Sequence, residues 1–232
     1  MSITTQLDEV RARVARAAEA AGRDPATVKL VAVSKLKPSS AIREAYSAGQ
    51  RDFGENYAQE LAEKQAELSS TLAVAPTLRW HYIGRLQSNK AKLVAGKVAL
   101  VHAVDSVSLA VELGKRAASV QPILLAVNLG GEATKGGVTG ATAQAIAKEL
   151  AAVSNVRLDG LMTLPPPSDD PEASRPVFAA LRELRARISG ELGLVLPVLS
   201  MGMSGDYEVA IACGATHVRI GTAIFGSRPA VH

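Results

Sequence analysis

Short apolar runs alternate with longer amphipathic stretches along the whole chain. Leu7, Val10, Val14, Ala17, Ala18 and Ala21 recur at helical spacing, with Arg11, Arg13 and Glu19 on other faces. The chain therefore opens with a helix, which Gly22 ends. Residues 28–35 are valine-rich and bounded by Pro38, the pattern of a strand buried on both faces. Pro38 then opens a helix to about Ala48, with Gly49 as its stop. The same alternation repeats. Strands are predicted at 51–55, 78–84, 98–104, 122–128, 157–164, 198–203 and 217–222. Helices are predicted at 56–68, 89–95, 141–153, 171–189 and 206–213, and Ser106 is placed to cap a helix after the fourth strand that exposes Glu112 and Lys115. The Gly-rich segment 130–137 and Pro165-Pro166-Pro167 read as loops.

Eight strands alternating with helices after one leading helix predict a single (β/α)8 TIM barrel spanning residues 1–232, with an extra N-terminal helix. A doubly wound open sheet is the alternative. It calls for a Gly-rich fingerprint after the first strand, and Val33-Ser34-Lys35-Leu36-Lys37-Pro38 is not one.

Composition narrows the function. The chain is 47% hydrophobic but only 3% aromatic, so its core is aliphatic. The single Cys213 rules out an internal disulfide and fits a reducing cytoplasm. The N-terminus lacks the basic and apolar regions of a signal peptide, and no apolar run is long enough to span a membrane. A net charge of +4 could suit nucleic acid. The charges are dispersed and stacking aromatics are scarce, so an anionic small ligand or a plain basic surface fits better.

The chemistry-bearing residues fall at predicted strand ends. Lys35 ends the first strand, where a barrel builds its active site. A partly desolvated amine there can take an aldehyde as a Schiff base, although a lysine snorkelling from a strand end is the commoner occurrence. Barrels often hold phosphate after strands seven and eight. Ser204 with Gly205 before a helix, and Gly221 with Thr222, suit that role, though each could be an ordinary cap or turn. Arg219, in an apolar strand, needs a partner. The choices are an ion pair with Asp206 or Glu208, or a place beside a ligand ring nitrogen, which this permanent donor would keep unprotonated. Asn56 could bond a ligand hydroxyl or cap a helix. A lone His81 on a strand is usually structural. No histidine or cysteine pair has metal-ligand spacing, and no Gly-x-Ser-x-Gly elbow is present, which argues against a metal site and a serine triad.

Several segments, in order along almost the whole chain, match one family. They are Val31-Ala32-Val33-Ser34-Lys35, Phe53-Gly54-Glu55-Asn56-Tyr57, the run from Trp80 to Lys90, Gly160-Leu161-Met162-Thr163, Leu199-Ser200-Met201-Gly202-Met203-Ser204, and the run from Val218 to Gly226. On these the chain resembles the pyridoxal phosphate homeostasis (proline synthase co-transcribed) family, whose fold is similar to the alanine racemase N-terminal barrel. The resemblance implies pyridoxal 5′-phosphate (PLP) covalently held on Lys35. It implies Ser204, Gly221 and Thr222, with Ser200 nearby, at the phosphate, Arg219 against the pyridine nitrogen, and Asn56 near the ring. Gly205 stands where an acidic residue is frequent, Thr134 where serine is usual before Lys135, and the three prolines replace a less rigid segment.

An unprotonated ring nitrogen weakens the cofactor as an electron sink. The related racemases take a tyrosine base from a second domain, for which this chain has no room after its last strand. The expectation is therefore a monomeric cytoplasmic protein with no catalytic residues, which maintains intracellular PLP by binding it and delivering it to PLP-dependent apo-enzymes. The alternative is a small racemase-like enzyme using Tyr57, His81 or Lys135 as base. Lys90, Lys92 and Lys97 form a basic cluster that reads as a solvated face or as a docking site.

Overall fold

The computed structural model describes residues 2–71, 78–131 and 136–226. In chain order the elements are α1 (Ile3–Ala20), β1 (Lys29–Val33), α2 (Ser39–Ser47), β2 (Asp52–Glu55), α3 (Ala58–Thr71), β3 (Arg79–Tyr82), β4 (Leu100–Val104), α4 (Val107–Arg116), β5 (Gln121–Asn128), β6 (Val138–Thr139), α5 (Ala143–Ala151), β7 (Val156–Met162), α6 (Arg175–Leu192), β8 (Val198–Ser200), α7 (Tyr207–Ala212), β9 (His217–Ile220) and α8 (Thr222–Phe225).

The strands run β4-β3-β2-β1-β9-β8-β7-β5, and β4 also pairs with β5, so the sheet closes on itself. Every pairing is parallel, including Ala32 with Phe53 and Leu30 with Val218. The result is the expected eight-stranded parallel barrel wrapped by helices. β6 is a two-residue addition beside β5, outside the ring. Closure leaves no open edge, and it places every strand's C-terminal end on one rim.

α1 forms as its pattern dictates. The Ser2 hydroxyl accepts from Thr5 N–H at the start, and Leu7, Val10, Val14 and Ala18 bury one stripe against α7, α8 and α2. Burying each of the larger side chains here, Leu7, Val10 and Val14, is worth about 1.5–3 kcal/mol.

Three local readings differ from expectation. The segment after β3 is a 3-10 helix, Ser88–Leu93, with i→i+3 bonds such as Lys90 N–H to Gln87 O. It is too short a bridge between Gln87 and Gly96 to settle into α-helix. The strand near 198 stops at Ser200 because the chain turns at Gly202, whose φ is 91° and where a Cβ would lie 2.6 Å from that of Ala210. The last strand stops at Ile220, and α8 begins directly after Gly221. Lys135, Thr134 and the centre of the 130–137 loop lie outside the described residues. Among those residues no helix is long and apolar enough to cross a membrane.

Candidate functional site

The C-terminal rim holds a cavity of about 330 Å³. Val33 and Lys35 reach it from the end of β1, Asn56 from β2 and Ile83 from β3. Leu164 follows β7, Met203, Ser204 and Gly205 follow β8, and Arg219, Gly221 and Thr222 come from β9 and its turn. β8, β9, β1 and β2 are consecutive around the ring, so residues far apart in the chain meet here. Of the seven residues singled out from sequence, Lys35, Asn56, Ser204, Arg219, Gly221 and Thr222 line this one cavity. Ser200 does not. It is fully buried beneath Arg219.

The backbone around Lys35 is pinned from both sides. Ser34 Oγ donates to Glu55 Oε1 at 2.7 Å. Leu36 N–H donates to Glu60 Oε1 at 2.5 Å and sits at φ 59°, a left-handed conformation rare for leucine. The buried Lys64 Nζ ties the two together, donating to Ser34 O, Glu55 Oε1 and Glu60 Oε1, each at 2.7 Å. Burial raises the Glu55 carboxyl pKa, while Lys64 and Ser34 pull it back. Lys37, the other lysine nearby, donates Nζ to Phe225 O at 2.8 Å and is not part of the cavity wall.

Asn56 is not a cap. Its Oδ1 is buried and accepts no hydrogen bond. Its backbone is anchored instead, because Tyr82 Oη donates to Asn56 O at 2.9 Å. Burial raises that phenol to about 12, so it remains a donor. Gly84 permits the close approach: a Cβ there would stand 2.1 Å from Asn56 O.

Arg219 makes neither of the ion pairs weighed from sequence. Its Nη1 donates to Ser200 Oγ at 2.6 Å and its Nη2 to Thr163 O at 3.0 Å. Glu208 pairs with Arg13, and Asp206 accepts from Ser174 Oγ and Met203 N–H. Burial lowers the guanidinium to about 10, with the Asp206 charge opposing, so it stays a cation at neutral pH.

His81 is buried, with Nε2 on Asp52 Oδ1 and Nδ1 on His102 Nε2, each at 2.9 Å. Both nitrogens are engaged away from the cavity. A broader hollow of about 750 Å³ lies on the other side of Asn56, walled by Tyr57, Arg85, Lys90 and Asp105 among others. Arg85 and Tyr57 are largely solvent-exposed side chains, whereas the smaller cavity is built on strand ends, which fix positions far better. Lys90, Lys92 and Lys97 are all exposed.

Ile83, Leu164 and Met203 complete the wall and were not singled out from sequence. Their strand-end positions were the available signal. Nothing in the sequence pointed to Thr163 O, since any residue has a carbonyl.

The residues fit a phosphorylated aromatic aldehyde. An amine, a buried cation and two hydroxyls converge. Asn56 Oδ1 lacks a donor, Gly205 faces open space, and a Cβ on Gly221 would press to 3.2 Å from Val33 O.

Comparison with known proteins agrees with the fold. The family model for the alanine racemase N-terminal domain matches residues 5–229. The chain is 48% identical over 230 residues to the pyridoxal phosphate homeostasis protein of Pseudomonas aeruginosa, covering 98% of this chain and 96% of that one. PipY of Synechococcus elongatus, solved with PLP bound, superposes with a TM-score of 0.84 at 38% identity, covering 97% of this chain and all of that one. Alanine racemase from Corynebacterium glutamicum shares the fold alone, at 19% identity and a TM-score of 0.68 over 95% of this chain and 62% of that one. The chain belongs to the alanine racemase N-terminal domain family, in the group whose members are named pyridoxal phosphate homeostasis protein.

Proposed function

We propose that this protein binds PLP in the rim cavity, holds it covalently on Lys35, and maintains the intracellular supply of the cofactor by storing it and releasing it to PLP-dependent apo-enzymes. The observation that carries this reading is the convergence of Lys35, Arg219, Ser204, Gly221 and Thr222 on one cavity. The 48%-identical relative named for PLP homeostasis and the PLP-bound PipY support it.

Bound there, the cofactor supplies an aldehyde for an amine to capture and a conjugated ring that can accept electrons. The chain's own groups do the rest. Lys35 presents its Nζ from a backbone clamped by Glu55, Glu60 and Lys64. Ser204 and Thr222 offer hydroxyls to a phosphate, and Gly221 leaves room beside Val33. Arg219, charged and acceptor-free, can only donate, so a ring nitrogen facing it keeps its lone pair. Asn56 Oδ1 offers an acceptor to a ligand hydroxyl.

Turnover calls for a base, and the two candidates among the described residues are poorly sited. His81 is engaged in the barrel interior, and Tyr57 opens onto the neighbouring hollow. We therefore read the protein as a carrier. Exchange of amino-acid α-hydrogens in heavy water, catalysed by the purified protein, would favour the racemase-like reading.

The deciding experiment is the visible absorption spectrum with PLP for wild type, Lys35→Ala and Lys37→Ala. The expected band is present in wild type and Lys37→Ala and absent in Lys35→Ala. A band that survives Lys35→Ala would defeat the assignment.

A further inference from the structure

The inside of a (β/α)8 barrel is ordinarily filled by branched apolar side chains. Here a polar line runs through it. Arg219 Nη1 to Ser200 Oγ is 2.6 Å, Ser200 Oγ to His102 Nδ1 is 2.8 Å, His102 Nε2 to His81 Nδ1 is 2.9 Å, and His81 Nε2 to Asp52 Oδ1 is 2.9 Å. All five residues are buried. The line starts at the cavity, whose wall includes Arg219. It ends at the opposite mouth, since Asp52 opens β2 and is held there by Arg79, the first residue of β3, and Lys29, the first residue of β1.

With neutral rings, the carboxylate end fixes the direction of every bond along the line. An ionised carboxylate only accepts, so His81 donates Nε2–H to Asp52 and accepts at Nδ1 from His102 Nε2–H. His102 Nδ1 is then left as an acceptor for the Ser200 hydroxyl, whose oxygen also receives from Arg219. Each hydroxyl or ring that gives one hydrogen bond while receiving another becomes a better acceptor. Ser200 therefore grips Arg219 more firmly than an isolated serine would. Burial favours the neutral form of both rings by lowering the pKa of each, and for His102 the proximity of its neighbours, Arg219 included, acts in the same direction.

We propose that Ser200, His102 and His81 are positioning residues that hold Arg219 at the cofactor ring, coupling cofactor retention to the Asp52–Arg79 ion pair at the far end of the barrel. The proposal rests on PLP occupying the rim cavity, as read above. The step is one of orientation only, and no bond to the cofactor changes.

Two measurements test it. The first uses the apo-protein and is independent of the cofactor: 15N NMR of the histidine rings. The expected result is neutral His81 and His102, both protonated on Nε2, from pH 8 down to pH 6. A proton on Nδ1 of His102, or a charged ring at pH 6, overturns the proposal. The second follows release of PLP to an excess of acceptor apo-enzyme, together with the absorption maximum of the loaded protein. Ser200→Ala removes the link beneath Arg219 and should release PLP faster, on the order of tenfold, with a shifted maximum. Asp52→Asn keeps an acceptor oxygen for His81 but removes the charge, and should act in the same direction about two- to threefold. Wild-type release and an unmoved maximum in both variants, each with a native far-ultraviolet spectrum, overturn the proposal. If Ser200→Ala does not fold, Asp52→Asn and the ring tautomers decide. If wild type shows no Lys35-dependent band, the functional reading itself fails and the coupling to retention falls with it. The tautomers then report the hydrogen-bond line alone.

Discussion

Acidification from pH 7 to pH 5 is expected to destabilise the protein steeply, because its interior histidines are kept neutral. Burial, with the proximity of His81, His217 and Arg219 adding to it, holds His102 well below its ordinary value. Burial, aided by His81 and Lys29, takes His217 to about 3, and His81 is also lowered, first by burial. In the unfolded chain each ring returns to an ordinary pKa of about 6.5 and takes up nearly one proton by pH 5. The unfolded state then binds more protons than the native state, so stability falls as pH falls through the unfolded value. A ring that stays neutral when folded contributes about 2 kcal/mol to this loss between pH 7 and pH 5. His102 is wholly buried and should contribute in full, while His217, partly reached by solvent, should contribute less. Together they remove about 3 kcal/mol, a large share of the roughly 5–15 kcal/mol of a typical domain. Asp52 does not titrate in this window. Burial opposes its ionisation, but hydrogen bonds from Arg79 and His81 win and hold its pKa far below the carboxylate range. Glu55, raised by burial, acts in the opposite sense. The histidine contribution is therefore best read by difference. Urea melts at half-unit pH steps should give a slope that His102→Gln reduces by about 1.2 kcal/mol per pH unit near pH 5.5. An identical slope in wild type and variant would refute the reasoning.

Other outcomes follow from single contacts. Gly221→Ala, whose Cβ would crowd Val33 O at 3.2 Å, should weaken PLP about tenfold in an equilibrium titration while leaving urea stability nearly unchanged. Lys64→Met strands the buried Glu55 carboxylate and the partly buried Glu60 and should cost about 3–5 kcal/mol by urea melt; adding Glu55→Gln should restore part of it. Leu36→Gly relieves a left-handed backbone at a half-exposed side chain and should raise stability by about 0.5–1 kcal/mol, and a loss of stability would show that the residue is not strained there. Gly84→Ala would drive a Cβ into Asn56 O and is expected to lower both the melting temperature and PLP affinity, whereas a change in stability alone would uncouple Asn56 from the cofactor.

The alternation of valine-rich runs with amphipathic stretches determined the barrel, because a parallel strand buried on both faces must read as continuously apolar. It also determined most of the rim. In a parallel barrel every strand ends on the same side, so Lys35, Ser204, Gly221 and Thr222 could be assigned from strand position before any contact was known. Local competition decided the shorter elements differently: a span of six residues after β3 wound as 3-10 helix, and turns at Gly202 and Gly221 ended two strands early. Only closure of the barrel decided who bonds to whom across its interior. Arg219 faced two acidic residues close by in sequence and chose neither. Its partner is Ser200, on the next strand of the ring, and beyond it stand His102 and His81 from the other side of the barrel and Asp52 at its far mouth. Asn56 could have been a cap until the fold left its oxygen buried and open. Periodicity records which face of an element is buried. The partner each buried polar atom meets depends on strand stagger and ring closure, which bring together residues such as His102 and Ser200, 98 positions apart, and leave no period in the sequence.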